Sequence, residues 1–273
     1  MTDTHRVKAI IFDVDGTLAL RDRSGGYVAL PGAVETLADA RRRNIPHLVY
    51  TNGTGRTSKD QAAALGRVGI EIDYRQYITP SHVAADYFLE HGLQRVLGIG
   101  VPASMQPLRD IGLEVLLPED SPASADAVYV ASITQFNEHD MECIARAIAR
   151  GANLFVSTDV PYFAAQGAPA INFAAAVCAA VTCVTGRKAT VLGKPAPESM
   201  AFAARRLGVA MNELAIVGDD PRLEIQMARN HGAYSVGVTT GICDRVGFES
   251  GPKEQQPHLL LGSMTSLLDK LPI

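Results

Sequence analysis

Two carboxylates, Asp13 and Asp15, follow the apolar run Ala9–Phe12 and stand against Gly16 and Thr17. Side chains alternate in an extended segment, so the two acids start on one side of the chain, and Gly16 permits the turn that comes next. Two further apolar runs end in the same way. Residues 45–50 give way to Thr51, Asn52, Gly53 and Thr54, and residues 214–217 to Gly218, Asp219 and Asp220, with Glu224 one helical turn on. Lys194 lies between these last two clusters, in the loop Gly193-Lys194-Pro195-Ala196-Pro197, where the prolines disfavour helix at the residues before them. Each cluster alone has an ordinary reading: a hairpin turn at Asp15-Gly16, a helix cap at Thr51, a surface ammonium at Lys194, a turn at Asp219-Asp220. Together they point to a binding site, because strand ends of an open α/β sheet gather at one crevice and two acidic ends repel unless a cation lies between them.

The elements that would position these groups alternate between strand and helix. After the first strand, residues 18–30 are polar, glycine-containing and without clear periodicity, which reads as a flap. Pro31 suits the first turn of a helix with Val34, Leu37 and Ala38 as its apolar face. Thr57 and Asp60 are spaced as a capping box. Strand and helix patterns then alternate through residues 77–185, ending in the apolar segment Phe173–Thr185, which reads as a buried helix. The last third supplies a helix at 198–207, strands near 214, 234 and 259, and a closing helix from TSLLDKL. This rhythm is that of βα units and a mainly parallel sheet. The segment Gly98 to Ser104, GIGVPAS, lacks the third glycine and the acidic partner of a dinucleotide loop.

With 273 residues the chain has room for one large domain or two modest ones, and 47% hydrophobic and 20% charged residues support a substantial core. A net charge of −4 without a long basic block argues against a nucleic-acid surface and favours a small-molecule partner. The start, MTDTHRVKAII, does not read as a signal peptide, and no apolar run reaches the roughly 20 residues a membrane span needs. Four cysteines without paired C-x-x-C spacing read as reduced thiols in a cytoplasmic protein.

The motifs Asp13-Val14-Asp15-Gly16-Thr17, Thr51-Asn52-Gly53, Gly193-Lys194-Pro195 and Gly218-Asp219-Asp220 resemble, in order, the four motifs of the haloacid dehalogenase superfamily. The long spacing between the second and third resembles its subfamily IIA, the phosphatases related to the para-nitrophenylphosphatase and nucleotide-phosphatase groups. The resemblance implies a doubly wound, mainly parallel Rossmann-like core, residues 1–79 plus 188–273, with an inserted α/β cap, residues 80–187. It implies that Asp13 is a nucleophile forming an aspartyl-phosphate, and that Asp15 protonates the leaving alcohol and then activates water. It implies a magnesium ion held by Asp13, the Asp15 carbonyl and Asp219, with Asp220 and Glu224 as outer partners. Thr51, Asn52, Gly53 and Lys194 would cradle the phosphoryl group, near a helix start.

The implied activity is magnesium-dependent hydrolysis of a small phosphorylated metabolite; composition and cysteine usage add a cytoplasmic setting with no nucleic-acid or membrane partner, and a cap edge could pair two copies as a homodimer, the oligomeric state being left open by the sequence. Alternatives on the same fold are a phosphate-ester binding or regulatory protein, a phosphotransferase and a dehalogenase. The sequence departs from the family pattern at Glu224, where Asp is usual. It departs again in the cap at Ser157-Thr158-Asp159-Val160 and Ala170-Ile171-Asn172-Phe173. Residues 132–137 and 157–163, with Phe136, Tyr162 and Phe163, are the candidate substrate-contact loops.

Overall fold

A strand covered on both faces reads as an unbroken apolar run, and Ala9–Phe12 is buried at all four positions. In the computed structural model, which describes residues 6–22, 24–120 and 124–273, this strand lies inside a six-stranded parallel sheet. The first five residues, on which the leaderless reading partly rests, lie outside the described residues. Across the sheet the order is Leu259–Leu261, Tyr234–Val238, Leu214–Gly218, Ala9–Phe12, His47–Tyr50 and Tyr77–Ile78. Sequence order thus runs outward in both directions from Ala9–Phe12, and the switch point falls between that strand and Leu214–Gly218. Crevices open at the carboxyl ends of strands at such a point. Phe12 pairs in register with Val217, which sets Asp13 level with Gly218 and brings Asp219 out of the neighbouring strand one residue farther on.

Alternation along the first strand builds two apolar layers. Ala9 and Ile11 face a cluster with Tyr50, Ile216, Met200 and Met227, whereas Ile10 and Phe12 face one with Leu37, Leu65, Val236 and Met264. Helices therefore cover both faces, the doubly wound α/β arrangement. A second parallel sheet, in the order Thr190–Val191, Asn153–Val156, Ala127–Val130, Arg95–Ile99 and Glu114–Leu116, takes four of its strands from residues 80–187 and its outer strand from beyond them. Glu138–Ala149 and Phe173–Thr185 cover one of its faces. On the other, Phe88, Tyr129 and Phe155 join the cluster of Ile11 and Tyr50, so one apolar layer runs through both sheets. The outer strand Thr190–Val191 begins two residues past the expected resumption of the first unit at 188, and leads straight into Gly193 and Lys194.

Three local expectations change. Residues 18–30 form a hairpin, Ala19–Arg21 against Tyr27–Ala29, because Asp22 Oδ1 accepts from the amides of Ser24 and Gly26 and closes the turn. The helix Phe173–Thr185 is buried on one face only, with Ala176, Ala179, Ala180 and Cys183 exposed on the other. No helix forms over 265–271: turns place Met264, Leu267, Leu268 and Leu271 into the core, and Thr36 Oγ1 donates to the Met264 carbonyl. The first helix, Ala33–Arg42, buries Ala33, Thr36, Leu37 and Ala40, so the apolar face centres on Leu37 and leaves Val34 and Ala38 at its edge. All four cysteines are free thiols. Among the described residues no helix is long and apolar enough to cross a membrane.

Candidate active site

The polar strand ends converge on a cavity of about 140 Å³ at the switch point, lined by Asp13, Asp15, Thr51, Asn52, Gly53, Lys194, Asp219, Asp220 and Glu224. Every residue given a catalytic, phosphate-binding or metal-binding part in the sequence therefore meets the same space. Lys194 is the pivot of its floor. Its Nζ lies 2.5 Å from Asp13 Oδ1, 2.5 Å from Glu224 Oε1 and 2.9 Å from the Tyr50 carbonyl, with the side chain 1% exposed. The lysine is reached from an independent loop because Asn52 clamps that loop: Asn52 Oδ1 accepts from the Lys194 amide at 2.9 Å, and Nδ2 donates to the Lys194 carbonyl at 3.0 Å.

Asp219 is set by close backbone approach. The Ile242 amide donates to its Oδ2 at 2.7 Å, and a side chain at Gly16, whose φ is +96°, would collide with the carboxylate. The chain after Asp219 makes a wide helical turn, Pro221–Ile225, which returns Glu224 beneath the strand end, against Gly218, where any Cβ would strike it. Glu224 Oε2 also accepts from the Asp220 amide at 3.3 Å. Asp220 itself is engaged by Arg222, which donates from its backbone, Nε and a terminal nitrogen.

Burial and mutual repulsion dominate the electrostatics. Burial pushes the Asp13 carboxyl up against the opposing pull of Lys194, with Asp15 adding to the rise. Burial and then Asp13 and Glu224 push Asp219 well above the usual carboxylate range. Glu224 is pushed up to about 7 by burial, Lys194 opposing. Burial alone would lower the Lys194 ammonium, but Asp13 and Glu224 outweigh it and hold the proton on. Five carboxylates thus stand at this site against three cations, Lys194, Arg21 and Arg222. That excess and the oxygen donors of Asp13 and Asp219 fit a hard divalent cation. Among the described residues no three acidic, His or Cys side chains converge as a ligand set. The expected set needs only two of them, with a backbone oxygen and water.

Three expected contacts take a different form. Thr51 Oγ1 points at the other catalytic candidate, donating to Asp15 Oδ2 at 3.3 Å and accepting from the Gly53 amide at 3.1 Å. No helix starts at this loop; the next begins at Ser58, capped by Thr57. Glu224 meets the lysine in an ion pair instead of standing only as an outer partner of the metal. Arg21, from the hairpin, was not singled out in the sequence, where a polar segment hid it among solvated arginines; its Nε donates to Asp15 Oδ1 at 3.0 Å.

The roof comes from loops of the second sheet and the segment after it. Ser132, Ser157, Thr158, Val160, Tyr162, Phe163 and Asn172 line the cavity, whereas Phe136 packs against the apolar cluster of the second sheet. The two layers are tied by neutral hydrogen bonds, Asn52 Nδ2 to Thr158 Oγ1 at 3.3 Å and the Thr54 amide to Ser132 Oγ at 3.2 Å.

Two family profiles match the chain, one described as haloacid dehalogenase-like hydrolase over residues 10–114 and one as HAD-hydrolase-like over residues 191–267. The chain is 26% identical over 246 residues to the ribonucleotide monophosphatase NagD of Escherichia coli K12, covering 90% of this chain and 93% of that protein. It is 26% identical over 236 residues to the acid sugar phosphatase of Staphylococcus epidermidis, covering 86% and 87%. The glycerol phosphate phosphatase Rv1692 of Mycobacterium tuberculosis, solved in complex with calcium, superimposes with a TM-score of 0.83 at 26% identity, over 95% of this chain and 74% of that one.

Proposed function

The chain belongs to the haloacid dehalogenase-like hydrolases, within its subfamily IIA phosphatases, and from that premise we propose that it hydrolyses small phosphomonoesters through an aspartyl-phosphate formed on Asp13. One observation carries the reading. Asp13 is buried at the cavity floor with Lys194 at 2.5 Å, while Asp15, two residues on, lines the same space. A nucleophile held by a fixed cation and a second carboxyl facing the same space are the two parts a double displacement requires.

In the first displacement an Asp13 oxygen bonds to phosphorus as the bond to the leaving oxygen breaks, and Asp15 gives that oxygen its proton. In the second, Asp15 takes a proton from water, whose oxygen attacks phosphorus and restores the Asp13 carboxylate. Lys194 stabilises the ionised nucleophile and the charge on the phosphoryl oxygens, and Thr51 and the 52–53 backbone bound the pocket that holds them. Asp13, the Asp15 carbonyl and Asp219 would hold the divalent cation, magnesium in our reading, which when bound neutralises phosphoryl charge and favours the ionised carboxylates. Asn52 acts through the lysine loop, which it fixes from both its side-chain oxygen and nitrogen.

The roof residues Ser157, Thr158, Val160, Tyr162, Phe163 and Asn172, in the unit proposed as a cap, face the leaving group and exclude water. The cavity's size suits a small phosphorylated metabolite. Four free thiols support a cytoplasmic setting.

A panel of phosphorylated sugars, nucleotides, polyols and aryl phosphates, read by phosphate release with magnesium and with chelator, tests the proposal on wild type and Asp13→Asn. Release that needs both metal and Asp13 is expected. Turnover under chelation, or turnover unaffected by the substitution, contradicts it.

A further inference from the structure

Arg21 touches both layers of the cavity. Its Nε donates to Asp15 Oδ1 at 3.0 Å, and its guanidinium carbon lies 5.4 Å from the centre of the Phe163 ring in the roof and 5.7 Å from that of Tyr27 in the hairpin. Its carbonyl accepts from the Gln166 amide at 3.0 Å, so the backbone of the hairpin is stitched to the roof at the same residue. Thr51 holds the second oxygen of Asp15 at 3.3 Å. The Asp15 carboxylate is thereby aimed by one group from the floor and one group that the roof seats.

We propose that Arg21 is a positioning residue that aims the Asp15 carboxylate at the leaving oxygen and makes that aim depend on the seating of Phe163 and Gln166. The proposal rests on the reading of Asp15 as the proton carrier. Proton transfer needs the carboxyl within hydrogen-bond reach of the oxygen it serves, and a misplacement of about 1 Å costs on the order of 10²-fold in rate. The Thr51 hydroxyl alone leaves the first oxygen of the Asp15 carboxylate unrestrained, whereas a guanidinium lying against two rings and tied through its backbone fixes that oxygen as well. In the step concerned, the Asp13 to phosphorus bond forms, the phosphorus to oxygen bond of the ester breaks, and the Asp15 proton passes to the departing oxygen. Arg21 neither gains nor loses a proton.

The test compares two esters of similar size whose leaving groups differ in their need for a proton. 4-Nitrophenyl phosphate releases a stable phenolate, whereas benzyl phosphate releases a basic alkoxide unless it is protonated. For each, kcat/KM reports events up to departure of the alcohol and leaves out the shared second displacement. Arg21→Met is expected to lower kcat/KM for benzyl phosphate by about tenfold or more beyond its effect on 4-nitrophenyl phosphate, within the range of a lost general acid. Arg21→Lys should recover part of that selectivity, and Arg21→Met placed on Asp15→Asn should add none.

Equal losses on the two esters, or full selectivity persisting in the Asp15→Asn background, would overturn the proposal and assign Arg21 to packing or to substrate binding. Should Arg21→Met fail to fold by circular dichroism, Phe163→Leu must shift the ratio in the same direction, and an unchanged ratio overturns the coupling to the roof. Wild-type activity that survives Asp13→Asn would remove the phosphatase mechanism itself, and the role of Arg21 with it. Equal losses with Asp13 dependence intact strike Arg21 alone.

Discussion

The floor of the cavity holds Asp13, Lys194, Asp219 and Glu224, none more than 6% exposed, whereas the roof offers Val160, Tyr162, Phe163 and Asn172, none of them charged and Tyr162 40% exposed. Buried charge is expensive unless each group has a partner, so the floor is fixed by what its members need from one another. Lys194 has three oxygen partners, Asp219 a backbone amide, Glu224 the lysine. Neutral and aromatic side chains at a half-open surface carry no such mutual requirement, and one can be exchanged for another with a small penalty. On the proposed function, the difference puts the chemistry in the floor and substrate selection in the roof. It also says where substitutions should act on rate and where on preference.

The comparison breaks most visibly at the nucleophile. Asp13→Asn is expected to lower kcat by about 10⁴-fold or more for every ester, with no change in substrate ranking, as phosphate-release assays will show. Lys194→Met comes next, at about 10²- to 10³-fold in kcat, because a fixed cation facing developing charge is removed. It should also destabilise the fold by about 3–5 kcal/mol in urea titrations, since Asp13 and Glu224 are left buried without their counterion. Roof substitutions sharpen the contrast from the other side: Tyr162→Ala and Phe163→Ala are each expected to change kcat/KM by about tenfold or less, by amounts that differ between esters. Uniform losses there would erase the distinction.

The smallest effect is on stability against pH. Glu224, raised to about 7 by burial, holds its proton better folded than unfolded. A carboxyl of that kind favours the native state at low pH, and its contribution is lost as pH climbs from the unfolded value, about 4.3, through 7. Asp13 and Asp219 are shifted in the same direction. Melting temperature in chelator should therefore fall as pH rises between about 5 and 8, and magnesium should flatten the slope. A melting temperature that rises over this interval in chelator would contradict the charge balance described for the floor.

What could be read in advance follows the same division. Strands such as Ala9–Phe12 and the helix Phe173–Thr185 announce themselves because burial on two faces or along one stripe dictates their composition. The floor groups were visible because chemistry fixes residue type and each sits directly after a strand. Their mutual contacts were not: nothing in the spacing says that Glu224 returns to Lys194, since that depends on the wide turn after Asp220 and on the missing Cβ of Gly218. The hairpin escaped notice because an Asp-centred turn, not an apolar period, makes it, and Arg21 went with it. The absent closing helix shows the converse error, an apolar spacing at 264–271 that irregular turns satisfy equally well.

The claim on which everything else depends is covalent chemistry at Asp13. Protein mixed with a turned-over phosphomonoester and magnesium, quenched in acid and analysed by peptide mass spectrometry, should carry one phosphoryl group on the peptide containing Asp13, and the Asp13→Asn protein should carry none. Rapid turnover with no phosphoryl group on that peptide at any quench time, or with the group on another residue, would contradict the account.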